Sequence, residues 1–343
     1  MVRENKTYDT VFGDLPGTNG DPHLVLAPGE MDAIWPNSRK LARGFTNFDN
    51  FYTDAEQSIQ GHVWTAFGRT TDFVERSWLT AWGRGTRPPT VAGVAEQGRP
   101  KEGSLFDALE RAGVPYANMG ELVGVGQQPL DPHYPGLVTT IGWPDVEKAC
   151  YLAALARAQC ALPPLAYVVL PNDHTLGGAA MTAHPGVMIA VNDEATGMLV
   201  DALSHSPLWK DSLVIVTEDD PQNGADHVDV HRTLLFVASP WVKRGYVSHG
   251  HYDTASVHKL ILAILGVPYP NEQIAQAPMP FDAFSATPDY APYEHVPRAY
   301  DQPCNPAESK AAEAAQGWNR DAVDEQPGIQ YWIWRILHER SYD

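Results

Sequence analysis

Residues 165–265 alternate short apolar runs with helical ones: LAYVVL at 165–170, a helix from about 187 to 204, LVIVTED at 213–219, TLLFVAS at 233–239, and a helix from Thr254 to Leu265. An apolar run with no polar alternation is buried on both faces. Runs of that kind separated by helices specify a mainly parallel sheet between two helical layers, an α/β fold. The first two strands pass straight into polar residues, PNDH and EDD. Ligands of open α/β sheets bind beyond the carboxyl ends of strands, so chemistry is expected there.

The first half is arranged around that sheet. Asn37 to Ala42 reads as a helix that Asn37 can cap, and Thr46 to Tyr52 is aromatic and β-prone. Ile59, Val63, Ala66, Phe67 and Val74 recur near helical spacing, which puts Ser58 at or close to a helix start. Residues 83–103 are dense in Gly and Pro, SLFDALERAGV reads as a helix, and 114–143 is again irregular. The segment 83–143 is therefore expected to be a loop-rich cap inserted into a single domain spanning 1–343. A chain of 343 residues, 43% of them apolar, can bury a core of that size.

Charge narrows the partners. Acidic residues outnumber basic ones 42 to 24, a formal charge of −18 that repels nucleic acid and anionic membranes. An anionic substrate would need a local attraction, which a divalent cation or a few focused cationic side chains supply. Cys150, Cys160 and Cys304 form no CxxC pair, so thiol metal sites are not expected. No apolar run reaches the roughly 18 residues that cross a bilayer, so stable membrane insertion is not expected either. The opening MVRENKTYDT lacks a basic-then-apolar leader.

The densest chemistry is in VIVTEDDPQNGADHVDVHR, where a strand ends in Glu218, Asp219 and Asp220 and is followed by Asp226, His227, Asp229 and His231. Carboxylates packed so closely repel unless a cation neutralises them, and carboxylate with imidazole suits zinc, manganese or iron. A solvated acidic turn is the alternative. LPNDHTLGG places Asn172, Asp173 and His174 after the other strand, where a capped turn is the competing reading. Ser58 and His62 share one helix face at i, i+4, although serines near helix starts usually serve as caps. Glu4 and Asn5 carry no signal by themselves.

Taken together, ENKTYDTVFGDLPGTNGDPHL, FDNFYTDAEQSIQGHVWTAFGRTTDFVERSW, LPNDHTLG, SHSPLWKDSLVIVTEDD and QNGADHVDVHRT resemble the bacterial phosphoesterase family that includes phospholipases C and acid phosphatases. The resemblance runs from about residue 3 to IWRILHER. It implies a three-layer α/β/α alkaline-phosphatase-like core, a hydroxyl nucleophile held on a metal, and a covalent phospho-enzyme. By motif, Ser58 takes the nucleophile position, and Glu4 and Asn5 match the Glu-Asn opening of the metal and phosphate site. Asp219 and Asp220 match paired acidic metal ligands, and His174, His227 and His231 match histidines of the NDH and DHVDxHR segments. Ser58, His62 and His174 are taken as catalytic, Glu4, Asn5, Asp219, Asp220, His227 and His231 as metal ligands, and His62, Asn5 and Arg232 as phosphate contacts, with a surface salt bridge as the alternative for Arg232.

Two departures accompany the likeness. Family members usually carry an apolar strand immediately before the Glu-Asn pair, whereas three residues precede it here, so a core strand is expected to be absent. Small or acidic residues more often surround the serine than in QSIQGH. The resulting expectation is metal-dependent hydrolysis of a small-molecule phosphate ester through phosphoserine, with zinc, manganese, iron or calcium as the divalent ion. The family also suggests an extracytoplasmic setting. A phosphodiesterase, phospholipase C or phosphonate hydrolase on the same scaffold is the nearest rival, and a catalytically silent binding module the more distant one.

Overall fold

In a computed structural model, the structure describes residues 1–81, 96–121, 129–138, 140–158, 162–222, 224–306 and 329–339. Its strands are β1 (Val2–Arg3), β2 (Thr46–Phe48), β3 (Phe51–Tyr52), β4 (Tyr116–Met119), β5 (Leu165–Leu170), β6 (Val214–Glu218), β7 (Leu235–Ala238), β8 (Tyr246–Ser248) and β9 (Tyr252–Asp253). The helices are α1 (Tyr8–Phe12), α2 (Met31–Ile34), α3 (Pro36–Gly44), α4 (Ser58–Phe67), α5 (Asp72–Ala81), α6 (Leu105–Ala112), α7 (Asp145–Arg157), α8 (Pro185–Ser204), α9 (Thr254–Leu265), α10 (Glu272–Gln276) and α11 (Ile329–Glu339). Seven strands form one sheet in the order β4-β5-β1-β6-β7-β2-β8, and β3 and β9 pair separately.

The double burial expected of the apolar strands is visible in β5. Val168 and Leu170 pack with Leu152, Ala195 and Leu199 of α7 and α8. Tyr167 and Val169 point the other way, into a cluster with Ile59 and Val63 of α4, Leu109 of α6 and Leu262 of α9. Successive side chains alternate across a strand, so a run apolar at every position glues a helical layer to each face. Each such side chain contributes about 1.5–3 kcal/mol when fully buried.

The sheet is mainly parallel, and β7 is the exception, antiparallel to both β6 and β2. A parallel return needs a crossover, usually a helix. The described residues between the two strands are instead spent on polar turns, with Asp226 accepting from the backbone N–H of Val228 and Asp229, so the chain comes straight back. Asn37 does not cap α3. It lies one residue inside the helix, where its backbone N–H donates to Asp193 and its side chain binds Asp193, Tyr293 and Val296.

The core strand expected to be absent is present as β1, in the middle of the sheet, where Val2 and Arg3 lie opposite Val169 and Leu170 on one side and Thr217 and Glu218 on the other. Beside it the longer β5 and β6 flank an apolar cavity of about 710 Å³ whose lining includes Met1, Leu165, Tyr167, Leu199, Val214 and Ile215. Parts of the expected cap, residues 83–95, 122–128 and 139, lie outside the described residues, as does Cys160. The described part of that segment includes α6 and also β4, which extends the main sheet beside β5. Cys150 and Cys304 are exposed free thiols. Among the described residues no helix is long and apolar enough to cross a membrane.

Helix α9 locks onto α4 through His258, which is buried and donates from Nε2 to the carbonyl oxygen of Thr65 at 2.8 Å. Burial pushes this imidazole down to about 4. The folded protein therefore keeps the ring neutral where the unfolded chain, with an ordinary value of 6.5, takes up a proton. Stability from this group is present above that ordinary value and lost as pH falls towards 4, a contribution on the order of 3 kcal/mol. Denaturant titrations at pH 7 and pH 4 should show the wild type losing that much more stability than His258→Gln; equal losses would remove His258 as the acid-sensitive contact.

Candidate active site

Three central elements deliver the site. β1 runs into Glu4 and Asn5, β6 runs into Asp219 and Asp220, and α4 supplies Ser58 and His62. The cap of α4 is Gln57, whose Oε1 accepts from the N–H of Ile59, so the Ser58 hydroxyl is not used as a cap. One helical turn separates Ser58 from His62, and Gly61 lies between them. A Cβ on Gly61 would come within 2.5 Å of the Asp219 carbonyl oxygen, so the missing side chain lets α4 rest directly on the end of β6.

The result is a closed polar cluster. Ser58 Oγ is 3.0 Å from Glu4 Oε2 and 2.9 Å from Asp220 Oδ2. His62 Nε2 is 3.2 Å from Glu4 Oε1 and 3.3 Å from Asp219 Oδ2, while Nδ1 is 2.8 Å from Glu121 Oε2. All six residues are fully buried. Burial alone would depress the His62 imidazole, but the carboxylates of Glu121 and Asp219 outweigh it and hold the ring well above its usual range.

Proton bookkeeping decides what such a cluster can hold. A serine hydroxyl has one hydrogen and so can donate to Glu4 or to Asp220, not to both. The other oxygen pair faces lone pair to lone pair unless a shared proton or cation lies between them. Glu4, His62 and Asp219 each offer a ligand atom within 4.8 Å of the others. Two carboxylate oxygens and one imidazole nitrogen are a donor set for zinc, manganese or iron, and Glu121 on Nδ1 fixes the ring as metal-ligating histidines usually require. These residues fit a divalent ion.

The backbone is strained at the same edge. Asn5, Thr175 and Gln222 have φ of 51°, 66° and 32° and follow β1, β5 and β6 respectively. Non-glycine residues in this region are uncommon and cluster at functional sites. The turns are braced by charge from below: Arg3 bridges Asp173 at 3.2 Å and Glu218 at 3.1 Å, all fully buried. Burial and the neighbouring Asp173 carboxylate push Glu218 well above the usual range.

The other sequence candidates go elsewhere. Asn5 sits over the cluster, its backbone N–H 3.4 Å from Asp219 Oδ1 and its Nδ2 donating to Gln222 Oε1 at 2.6 Å. His174 closes the turn after β5 and is joined to Glu4 through Asp173, whose Oδ1 accepts the Glu4 N–H at 3.1 Å. Its Nδ1 donates to the Thr175 carbonyl at 2.8 Å, so in the neutral ring Nε2 is the basic atom. His227, expected at the metal, joins Asp9 and Asp226 in a second group whose ligand atoms lie within 4.8 Å of one another, apart from Ser58, and Arg232, expected at the phosphate, packs against the same group. Arg232 is buried with its donors on Asp226, Asp9 and the carbonyls of Asn19 and Asp49, and His227 Nδ1 is 2.6 Å from Asp9 Oδ2. A buried guanidinium has to find its partners inside the protein, and these consume it. His231 is a half-buried surface residue held by Asp229 at 2.8 Å and Glu56 at 3.6 Å. Sequence reasoning missed Glu121, Lys6, Gln222 and Asp9, which stand in no motif with the strand-end residues.

Comparison with known proteins follows the same lines. The model of the phosphoesterase family matches residues 33–268. The chain belongs to the phosphoesterase family. It is a hydrolase acting on ester bonds. Family membership covers Ser58, His62, Asp219 and Asp220, whereas Glu4 and Asn5 lie ahead of the matched segment. No curated protein matches the chain. Among solved structures, Ps i-CgsB in complex with k-i-k-neocarrahexaose is 15% identical over 81% of this chain and 73% of its own, with a TM-score of 0.52. BT33494S-sulf of Bacteroides thetaiotaomicron is 12% identical over 77% and 71%, with a TM-score of 0.51. A protein in the alkaline phosphatase superfamily from Vibrio parahaemolyticus is 14% identical over 100% and 87%, with a TM-score of 0.49. At such identities the likeness to the first two concerns the fold alone.

The close approach at Gly61 makes a test. Gly61→Ala should favour the helix yet force α4 off Asp219, and a displacement of about 1 Å in a phosphoesterase site costs on the order of a hundredfold in rate. Steady-state assay with p-nitrophenyl phosphate measures it. A kcat equal to wild type would mean that the spacing of α4 from β6 does not set the site.

Proposed function

We propose that this phosphoesterase hydrolyses small phosphate esters through Ser58, with a divalent ion held by Glu4, His62 and Asp219. The observation that carries the reading is the Ser58 hydroxyl, relieved of capping by Gln57 and placed between Glu4 and Asp220 at 3.0 and 2.9 Å. When bound, the ion would lower the pKa of a neighbouring hydroxyl and neutralise charge on the phosphoryl oxygens. An imidazole among the donors favours zinc, manganese or iron over calcium.

The chain's own residues do the rest. Asp220, 2.9 Å from Ser58 Oγ, receives the hydroxyl proton as the oxygen attacks phosphorus. The Oγ–P bond forms, the P–O bond to the leaving group breaks, and the alcohol leaves after taking a proton from solvent. Water then attacks the phosphoserine and gives up a proton to solvent, the P–Oγ bond breaks, and Asp220 returns its proton to Ser58 Oγ. Ser58 is also the first residue of α4, where the helix dipole favours developing negative charge. Glu121 holds the His62 ring so that Nε2 stays aimed between Glu4 and Asp219. The Asn5 backbone N–H ties its turn to Asp219 at 3.4 Å, and its side-chain amide, beside Gln222, is assigned to a phosphoryl oxygen. Arg232, being consumed by Asp9 and Asp226, takes no part.

Two outcomes are expected. Exhaustive chelation should abolish hydrolysis of p-nitrophenyl phosphate, and zinc or manganese should restore it. Ser58→Ala should fold, retain the ion and turn over at least about a thousandfold more slowly, as covalent-catalysis knockouts do. Near-wild-type kcat in that variant would move the nucleophile away from Ser58, and full activity after chelation would remove the metal. Assay of p-nitrophenyl sulfate alongside separates phosphate transfer from transfer of the similarly shaped sulfate group.

A further inference from the structure

Two glutamines flank Ser58 at the start of α4, and the fold uses them differently. Gln60 spends both ends of its amide: Oε1 accepts from the Glu56 N–H at 3.0 Å, and Nε2 donates to Glu75 Oε1 and Oε2 at 3.0 Å each. Gln57 spends one. Its Oε1 accepts from the Ile59 N–H at 3.3 Å, while its Nε2 is buried with no hydrogen-bond partner, in a residue only 6% exposed.

Chemistry fixes which end is which. Only the amide oxygen can accept from a backbone N–H, so the group left over is the NH2 donor. Both ends sit on one carbon, so with Oε1 over the first turn of α4 the nitrogen lies there too, beside Ser58, the next residue in the chain. The segment is held in place: Glu56 is tied to Gln60, Gln60 to Glu75 of α5, and the Gln57 carbonyl accepts from the Gly61 N–H at 2.9 Å. A buried donor with no acceptor is unfavourable, and native folds keep few of them. An acceptor that arrives with a ligand removes the deficit, and a helix N-terminus favours one that is anionic.

We propose that Gln57 is a catalytic residue, whose Nε2 donates to a nonbridging phosphoryl oxygen as the Oγ–P bond forms on Ser58. The assignment rests on the reading above, in which Ser58 is the nucleophile. A donor beside Ser58 meets the phosphoryl group as that group closes on Oγ, so it stabilises the transition state more than the free ester. Capping the helix with Oε1 is what holds the donor in that place.

Gln57→Glu and Gln57→Met separate the donor from the cap. The glutamate keeps an oxygen for the Ile59 N–H and suits a helix N-terminus, but carries no NH2; the neutral methionine loses both ends. With metal-loaded protein and p-nitrophenyl phosphate, both variants should lose kcat on the order of a hundredfold with little change in KM, the cost of removing one donor to a transition-state oxygen. Gln57→Glu should unfold no earlier than the wild type. Wild-type kcat in Gln57→Glu, with any loss confined to Gln57→Met, reduces Gln57 to a cap and overturns the proposal. If neither variant folds, wild-type crystals soaked in orthovanadate decide: a vanadate oxygen within about 3.2 Å of Gln57 Nε2 supports the assignment, and any other placement, or no vanadate at Ser58, overturns it. Ser58→Ala tells the two levels apart. Near-wild-type kcat there removes the nucleophile and the Gln57 assignment together, whereas an inactive Ser58→Ala beside a fully active Gln57→Glu removes Gln57 alone.

Discussion

Carboxylate repulsion at the carboxyl ends of β1 and β6 is the constraint on which this structure turns. Glu4, Asp219, Asp220 and Glu121 are all buried within reach of Ser58 and His62. Uncompensated burial of even one such charge costs several kcal/mol. The cluster needs a shared proton or a positive charge inside it. The protonated His62 imidazole is one source, and a divalent ion coordinated by its Nε2 is a stronger one.

The surrounding fold follows from keeping those acids together. A doubly buried sheet puts the strand ends in register, so that Arg3 reaches Asp173 and Glu218 and the turns above them stay fixed. Glycine at position 61 lets a helix approach a strand end closely enough for Ser58 and His62 to enter the cluster. Positive φ at Asn5, Thr175 and Gln222 is the conformational cost of turning three adjacent strands into one polar rim. The net charge of −18 makes a local cation more important still, because an anionic ester must cross a repelling surface before it meets any attraction.

Much of the frame was legible in the sequence because continuous apolar runs report burial directly. The strand at 165–170 and the helix at 254–265 fall where the pattern puts them. Asp219 and Asp220 stood out because an acidic pair at the end of an apolar strand repels unless a cation neutralises it, with a solvated turn as the competing reading, and the structure buries both. The antiparallel turn of β7 was not, since the loop before it carries no periodicity to reveal its path. His227 and Arg232 sit nine or more residues beyond the strand, and which carboxylates they meet depends on Asp9, contributed from the other end of the chain. Glu121 and Lys6 were hidden likewise, because a buried charge is recognised by its partners and those partners come from remote segments.

The account stands on where a divalent ion binds, and anomalous diffraction from crystals equilibrated with zinc or manganese locates it. The account predicts a peak bounded by Glu4, His62 Nε2 and Asp219, with ligand distances of about 2.0–2.2 Å for zinc, beside Ser58 and Asp220. A peak confined to Asp9, Asp226 and His227, or none at His62 in saturating metal, would contradict it.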